Sequence, residues 1–281
     1  MRIQDFFTME ISGTQSPELY LMQQGITWPA LMALNSSFKL ETKNFRKRLL
    51  TTLKGMCNEK GMMPFFTNAE LQKKYQPDLE CTALFVAACI LNGEKIITDL
   101  DDIKKRIMTN GFFQTWIGRA EQPIDYISQL IMCICYGQAG LNIEQTLANT
   151  ITTKFRDFSA LNSRDVYYTN PLYFIYFTLY LNDKGLFPNK YQTLIERFVE
   201  TYIPADEVET NMLRKICSKF KLLYINHTLS SRRTPFFTNG TWQCVEYYSD
   251  SVKEVFRTSA DFDRKHRFNR SLATNSTSMA V

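Results

Sequence analysis

"VYYTNPLYFIYFTLYLN", residues Val166–Asn182, decides how this chain folds. Asn170–Pro171 is a helix-opening pair, with a capping side chain followed by Pro at a position that needs no N–H. Almost every residue after it is aromatic or aliphatic, on every face of a helix. Such a helix has to be enclosed by others, because no wet face remains. Four further segments show the same all-round apolar pattern after a turn signal. They are Asp78–Asn92 ("DLECTALFVAACILN"), Pro123–Ala139 ("PIDYISQLIMCICYGQA"), Asp206–Tyr224 ("DEVETNMLRKICSKFKLLY") and Thr241–Arg257 ("TWQCVEYYSDSVKEVFR"). Pro17–Asn35 ("PELYLMQQGITWPALMALN") is a less regular member, since Gly25 and Pro29 should break or kink it.

Between these lie segments with one apolar stripe and one charged face: Asn44–Lys60, Asp99–Thr109, Ile143–Phe158 and Tyr191–Tyr202. Period-two alternation is absent, so the chain reads as all-α. Inner and outer helices take turns, with inner segments starting about 35 to 45 residues apart, the period of stacked helical hairpins. The plan predicts about five or six hairpins closed into an α/α toroid, with an open α-solenoid as the alternative. Closure is favoured because a solenoid would have to wet the rings of Val166–Asn182. "PFFTN" occurs at Pro64–Asn68 and at Pro235–Asn239, with an echo, "NGFFQTW", at Asn110–Trp116. These read as repeat punctuation, turns that pass the chain from an outer helix to an inner one.

The 281 residues are 44% hydrophobic and 22% charged, the balance of a globular chain able to bury a large core. Residues 1–258 are expected to form one domain with an irregular N-terminal segment over 1–16, and 259–281 a basic tail. Part of the net charge of +5 sits in "RTSADFDRKHRFNR", Arg257–Arg270. The body is then near neutral, which argues against a nucleic-acid groove. Seven cysteines, spread through apolar helical patterns, point to reduced buried thiols and a cytoplasmic location. No run of 18 residues lacks polar interruption, so a transmembrane segment is not expected.

The stretch "QPDLECTALFVAACI" carries a resemblance. Pro77, Asp78, Glu80, Cys81, Thr82 and Ala83 look like the inner-helix motif of class II terpenoid cyclases, Pro-Asp-x-Asp-Asp-Thr-Ala or its variant ending Asp-Cys-Thr-Ala. Glu80 stands where that family has its proton-donating Asp. "NGFFQTWIGRAEQPID" is similar to the family's Gly-aromatic turns before an inner helix. The superfamily, which includes protein prenyltransferase β-subunits, is built on α/α toroids. Such cyclases usually pair two helical domains, and this chain is long enough for one. The resemblance implies an isoprenoid or other hydrophobic small molecule as substrate and Glu80, beside Asp78, as general acid.

A proton donor of that kind needs a carboxyl kept protonated by an apolar pocket. Cys81, Phe112, Trp116, Tyr168 and Trp242 are candidates to line the pocket, their rings stabilising cations. In a toroid the inner helices run parallel, so Asp78, Glu80, Asp125, Asn170, Glu207 and Glu209 would ring one mouth. Each also has a plain structural reading. Asp78, Asp206 and Asn170 suit N-caps, Glu80 and Asp125 suit a first turn, and Asp206 with Glu209 suits a capping box. A zinc site is disfavoured: His227 and His266 are the only histidines, and Cys133 and Cys135 project in different directions from one helix. A glycosidase would pair Glu80 or Asp125 with Glu207 or Glu209, with Trp116 and Trp242 stacking on sugar. No Gly-rich phosphate loop or nucleophile elbow is present, and no cofactor is expected. Two readings stand: a cyclase-like enzyme, and a non-catalytic helical-repeat domain that binds a lipid, peptide or protein partner. An enclosed cavity of several hundred Å³ would separate them.

Overall fold

A computed structural model describes residues 26–35, 43–117, 122–168, 170–204 and 207–222, with the pairs 237–238 and 241–242. Helix is the only extensive regular structure among them: the fold is all-α. Its principal helices are α1 (Trp28–Leu34), α2 (Lys43–Met56), α3 (Ala69–Lys74), α4 (Leu79–Leu91), α5 (Leu100–Lys104) and α6 (Tyr126–Gln138). They continue with α7 (Glu144–Lys154), α8 (Phe158–Asn162), α9 (Leu172–Asp183), α10 (Gln192–Thr201) and α11 (Glu207–Phe220).

The all-round apolar segments became the buried helices. In α4 every residue from Leu79 to Cys89 is buried, in α6 every residue from Ile127 to Tyr136, and in α9 every residue from Leu172 to Leu179. Each fully buried Leu, Ile or Phe contributes about 1.5–3 kcal/mol, so this layer supplies most of the drive to fold. The buried helices pack in sequence order, α1 on α4, α4 on α6, α6 on α9 and α9 on α11. Amphipathic helices lie against them: α2 on α1, α7 on α6, and α10 on α11, with α8 joining α7 to α10.

Two positions play the same part at the start of α4 and of α6. Asp78 and Asp125 are N-caps, accepting from Cys81 N at 2.7 Å and Ser128 N at 2.9 Å. Four residues after each cap, a polar side chain holds the incoming aromatic segment. Thr82 Oγ1 accepts from Met63 N at 3.0 Å, whereas the Gln129 amide both accepts from Phe113 N at 2.8 Å and donates to Phe113 O at 2.9 Å. The Pro64–Asn68 turn and its echo at Asn110–Trp116 thus share a role, whereas Phe237–Thr238 of the second copy pairs as a strand. Gly61 (φ +69°) makes one of these turns possible, since a Cβ there would lie 2.5 Å from Ile97 O.

The expected break near Gly25 and Pro29 is present: Ile26–Thr27 is not helical, and Pro29 falls in the first turn of α1, where its missing N–H leaves no gap. Two expectations need correction. α11 is not apolar all round: Arg214, Ser218 and Lys219 give it a wet face while Met212, Leu213 and Ile216 are buried. A helix expected from Thr241 is replaced at its start by extended backbone, Thr241–Trp242 pairing antiparallel with Phe237–Thr238. Asn239–Gly240 lies between the pairs, and that dipeptide favours two-residue hairpins. Positions 1–25 and the rest of the chain after 242, including the expected basic tail, lie outside the described residues. Among the described residues no helix is long and apolar enough to cross a membrane.

Candidate functional site

The starts of α1, α4 and α6 and the loop before α9 meet at Glu80. Trp28 is the first residue of α1, Glu80 the second of α4, Ser128 the third of α6, and Tyr168 stands just before α9. Glu80 Oε1 accepts from Trp28 Nε1 at 2.9 Å and from the Tyr168 hydroxyl; Oε2 accepts from Ser128 Oγ at 2.5 Å. The carboxyl is only 6% exposed. Burial raises its pKa, against the pull of the hydrogen bonds from Ser128, Tyr168 and Trp28.

Asp78 lies beside it, 3% exposed. Its Oδ1 is spent on the Cys81 N–H, and its Oδ2 has no hydrogen-bond partner. Burial pushes Asp78 up to about 7, the helix N–H groups pull it back, and the neighbouring Glu80 pushes it further up. The Cys81 thiol, a weak donor, also lowers the Asp78 pKa through a side-chain hydrogen bond to the carboxyl. Burial and both carboxylates hold that thiol well above its ordinary range, so it is not a nucleophile. A buried carboxyl oxygen left unpaired costs about 1–3 kcal/mol, which makes Asp78 the unusual member of this cluster.

Over the two acids lies a pocket walled by Trp28, Phe65, Trp116, Tyr167 and Tyr168, with Thr115 at its edge. The rings touch in series: Phe65 and Trp116 centroids are 5.5 Å apart, Trp116 and Tyr167 6.4 Å, Trp28 and Tyr168 6.2 Å. Thr115–Trp116 is held there by the backbone, Leu79 N donating to Thr115 O at 2.9 Å and Trp116 bridging Asp78. The free volume is about 30 Å³, above the roughly 10–15 Å³ that a water needs and far below that of a pocket enclosing a whole ligand. No known family profile matches this chain, and no curated protein does.

Asp125 supports this pocket from below and does not line it. It is fully buried, and its second oxygen accepts from Tyr167 N at 2.5 Å and Tyr168 N at 3.2 Å. Burial and the nearby Asp165 push its pKa up, and these N–H groups pull the other way. A buried ion pair anchors the same loop: Lys154 Nζ lies 2.7 Å from Asp165 Oδ2 and also donates to Ser163 O at 2.8 Å. Asp165 Oδ1 in turn accepts from Tyr126 N at 3.0 Å. The loop that presents Tyr167 and Tyr168 is thus fixed from two sides.

The structure brings Asp78, Glu80, Cys81, Trp116 and Tyr168 to one pocket. It places the other candidates elsewhere. Phe112 packs edge-on against Tyr126, centroids 5.8 Å apart. Glu209 belongs to a separate buried cluster, accepting from Asn170 Nδ2 at 2.7 Å and Tyr202 OH at 2.8 Å. Asn170 also accepts from Leu172 N at 3.0 Å, which caps the turn opening α9. The side chains of Glu207 and Trp242, together with Asp206, His227 and His266, lie outside the described residues. Among the described residues no cluster of His, Cys, Asp and Glu could hold a metal. Sequence reasoning missed Trp28, Phe65, Tyr167 and Ser128. Phe65 belongs to "PFFTN", so that turn is more than punctuation; Trp28 and Ser128 sit in first turns, the position already singled out in α4.

Proposed function

We propose that this chain is a helical-hairpin domain, closed as an α/α toroid, that binds a small group of a partner at its N-terminal mouth and performs no chemistry there. The size of the pocket carries this reading: about 30 Å³ beside Glu80, against the several hundred that enclose a substrate. Both Glu80 oxygens are engaged by neighbouring donors, so the carboxyl works as a hub that ties the helix starts together. The toroid reading rests on burial of the apolar faces of α4, α6 and α9; sequential packing is common to a toroid and an open solenoid.

A second reading, the terpenoid-cyclase-like enzyme, is favoured by one observation. Glu80 has its pKa raised by burial under aromatic rings, the condition a general acid needs. Its place in "PDLECTA" is the same one that the resemblance to class II cyclases gives to a proton donor. The test is mass spectrometry of polyprenyl substrates incubated with wild type and with Glu80→Gln. The binding reading expects no cyclised product from either. Product from wild type that disappears in the variant would overturn it.

A further inference from the structure

Asp78 Oδ2 is a buried acceptor without a donor in a pocket whose other walls are aromatic. We propose that this pocket receives the head of a primary alkylammonium ion, with Asp78 as its counter-ion and the rings of Trp28, Phe65, Trp116, Tyr167 and Tyr168 around its first methylenes. The proposal deepens the binding reading above and rests on it.

Three features select this ligand chemistry. Size comes first: a free volume of about 30 Å³ admits a small head such as –NH₃⁺ and is far below the several hundred that take up a whole ligand. Donor count comes second. An ammonium brings three N–H donors and no acceptor, matching a site whose spare groups are the unpaired Asp78 oxygen and the remaining lone pairs of Glu80. The walls come third, since aromatic faces attract a cation and pack against an alkyl stem. The half-buried rings of Trp116 and Tyr168 are the most exposed of the five and would flank that stem. The positive end of α4 opposes a cation with about half a charge. Its Cys81 N–H, however, is already capped by Asp78 Oδ1, and two carboxyls stand against it.

The linkage has a definite sign. With Asp78 at about 7, an incoming ammonium favours the ionised carboxyl, so binding releases a proton and strengthens as pH rises. The experiment is calorimetric titration of the full chain with n-butylammonium, n-butanol, and Nα-acetyl-lysine methylamide, at about pH 6 and pH 8. The expected result is amine binding that is at least tenfold weaker for butanol and for Asp78→Asn, and several-fold weaker at the lower pH. Asn remains a good N-cap, so the variant keeps its helix start, which circular dichroism checks. Trp116→Leu, at a half-buried position, should weaken amine binding several-fold as well. Tighter binding of the lysine derivative would assign the head group to a peptide side chain, and equal binding to a free amine. No binding of either amine, or equal affinity for butanol or for Asp78→Asn, would overturn the proposal. That failure is separate from failure of the binding reading, which the polyprenyl assay decides.

Discussion

Asp78 and Asp125 occupy the same position in two successive hairpins, and they end in opposite conditions. Each caps a buried helix with one oxygen. The second oxygen of Asp125 is claimed by the chain arriving from the next hairpin, through Tyr167 N and Tyr168 N. The second oxygen of Asp78 is buried without a hydrogen-bond partner, and Asp78 lines a pocket. In a repeat architecture each unit is completed by its neighbour. Asp125 is a joint that has been closed, and Asp78 is the same joint left open.

The comparison breaks hardest at its anchor. Lys154→Met would strand the Asp165 carboxylate, whose side chain is 2% exposed, and should cost about 3–5 kcal/mol in denaturant unfolding. Adding Asp165→Leu should recover much of that loss, because the uncompensated charge goes with it. A loss below about 1 kcal/mol in the single variant would mean that the loop does not depend on the ion pair.

Truncation at the caps comes next. Asp125→Ala removes the acceptor for three backbone N–H groups, and about 3 kcal/mol should be lost. Asp78→Ala removes one such acceptor and relieves an unpaired buried oxygen, so about 1 kcal/mol or less is expected. Equal losses in urea titrations would erase the distinction between closed and open joints.

The effect of pH falls on the open joint itself. Asp78 holds its proton up to about 7 in the folded chain and releases it near 3.9 when unfolded. The native state therefore binds the extra proton, and stability falls as pH rises from about 4 to about 7. Asp78→Asn should flatten that fall without abolishing it, since burial also raises Glu80 and Asp125. Thermal melts across that window measure the slope. A slope unchanged by the substitution would show that Asp78 is ionised throughout.

Much of this organisation was readable in the chain. α4, α6 and α9 announce themselves because burial on all sides requires apolar residues at every helical position. Asp78 and Asp125 do so because a capping side chain precedes each apolar run. The pocket was legible only in part. Glu80 stands in a motif, but Trp28, Ser128 and Tyr167 reach it from other hairpins, and a single residue carries no period. α11 misled because its apolar stripe is broad enough to resemble full burial, although Arg214, Ser218 and Lys219 mark its wet side. Thr241–Trp242 misled because aromatic residues suit helix and strand alike, and Asn239–Gly240 was the stronger local signal.

Carbon-13 NMR of the aspartate carboxyls, titrated with and without n-butylammonium, reads both joints in one experiment. The predicted result is an Asp78 midpoint near 7 that drops clearly when the amine is added, with the Asp125 midpoint unmoved. An Asp78 resonance that ignores the amine, or an Asp125 resonance that shifts as far, would contradict the claim that one joint is open and the other closed.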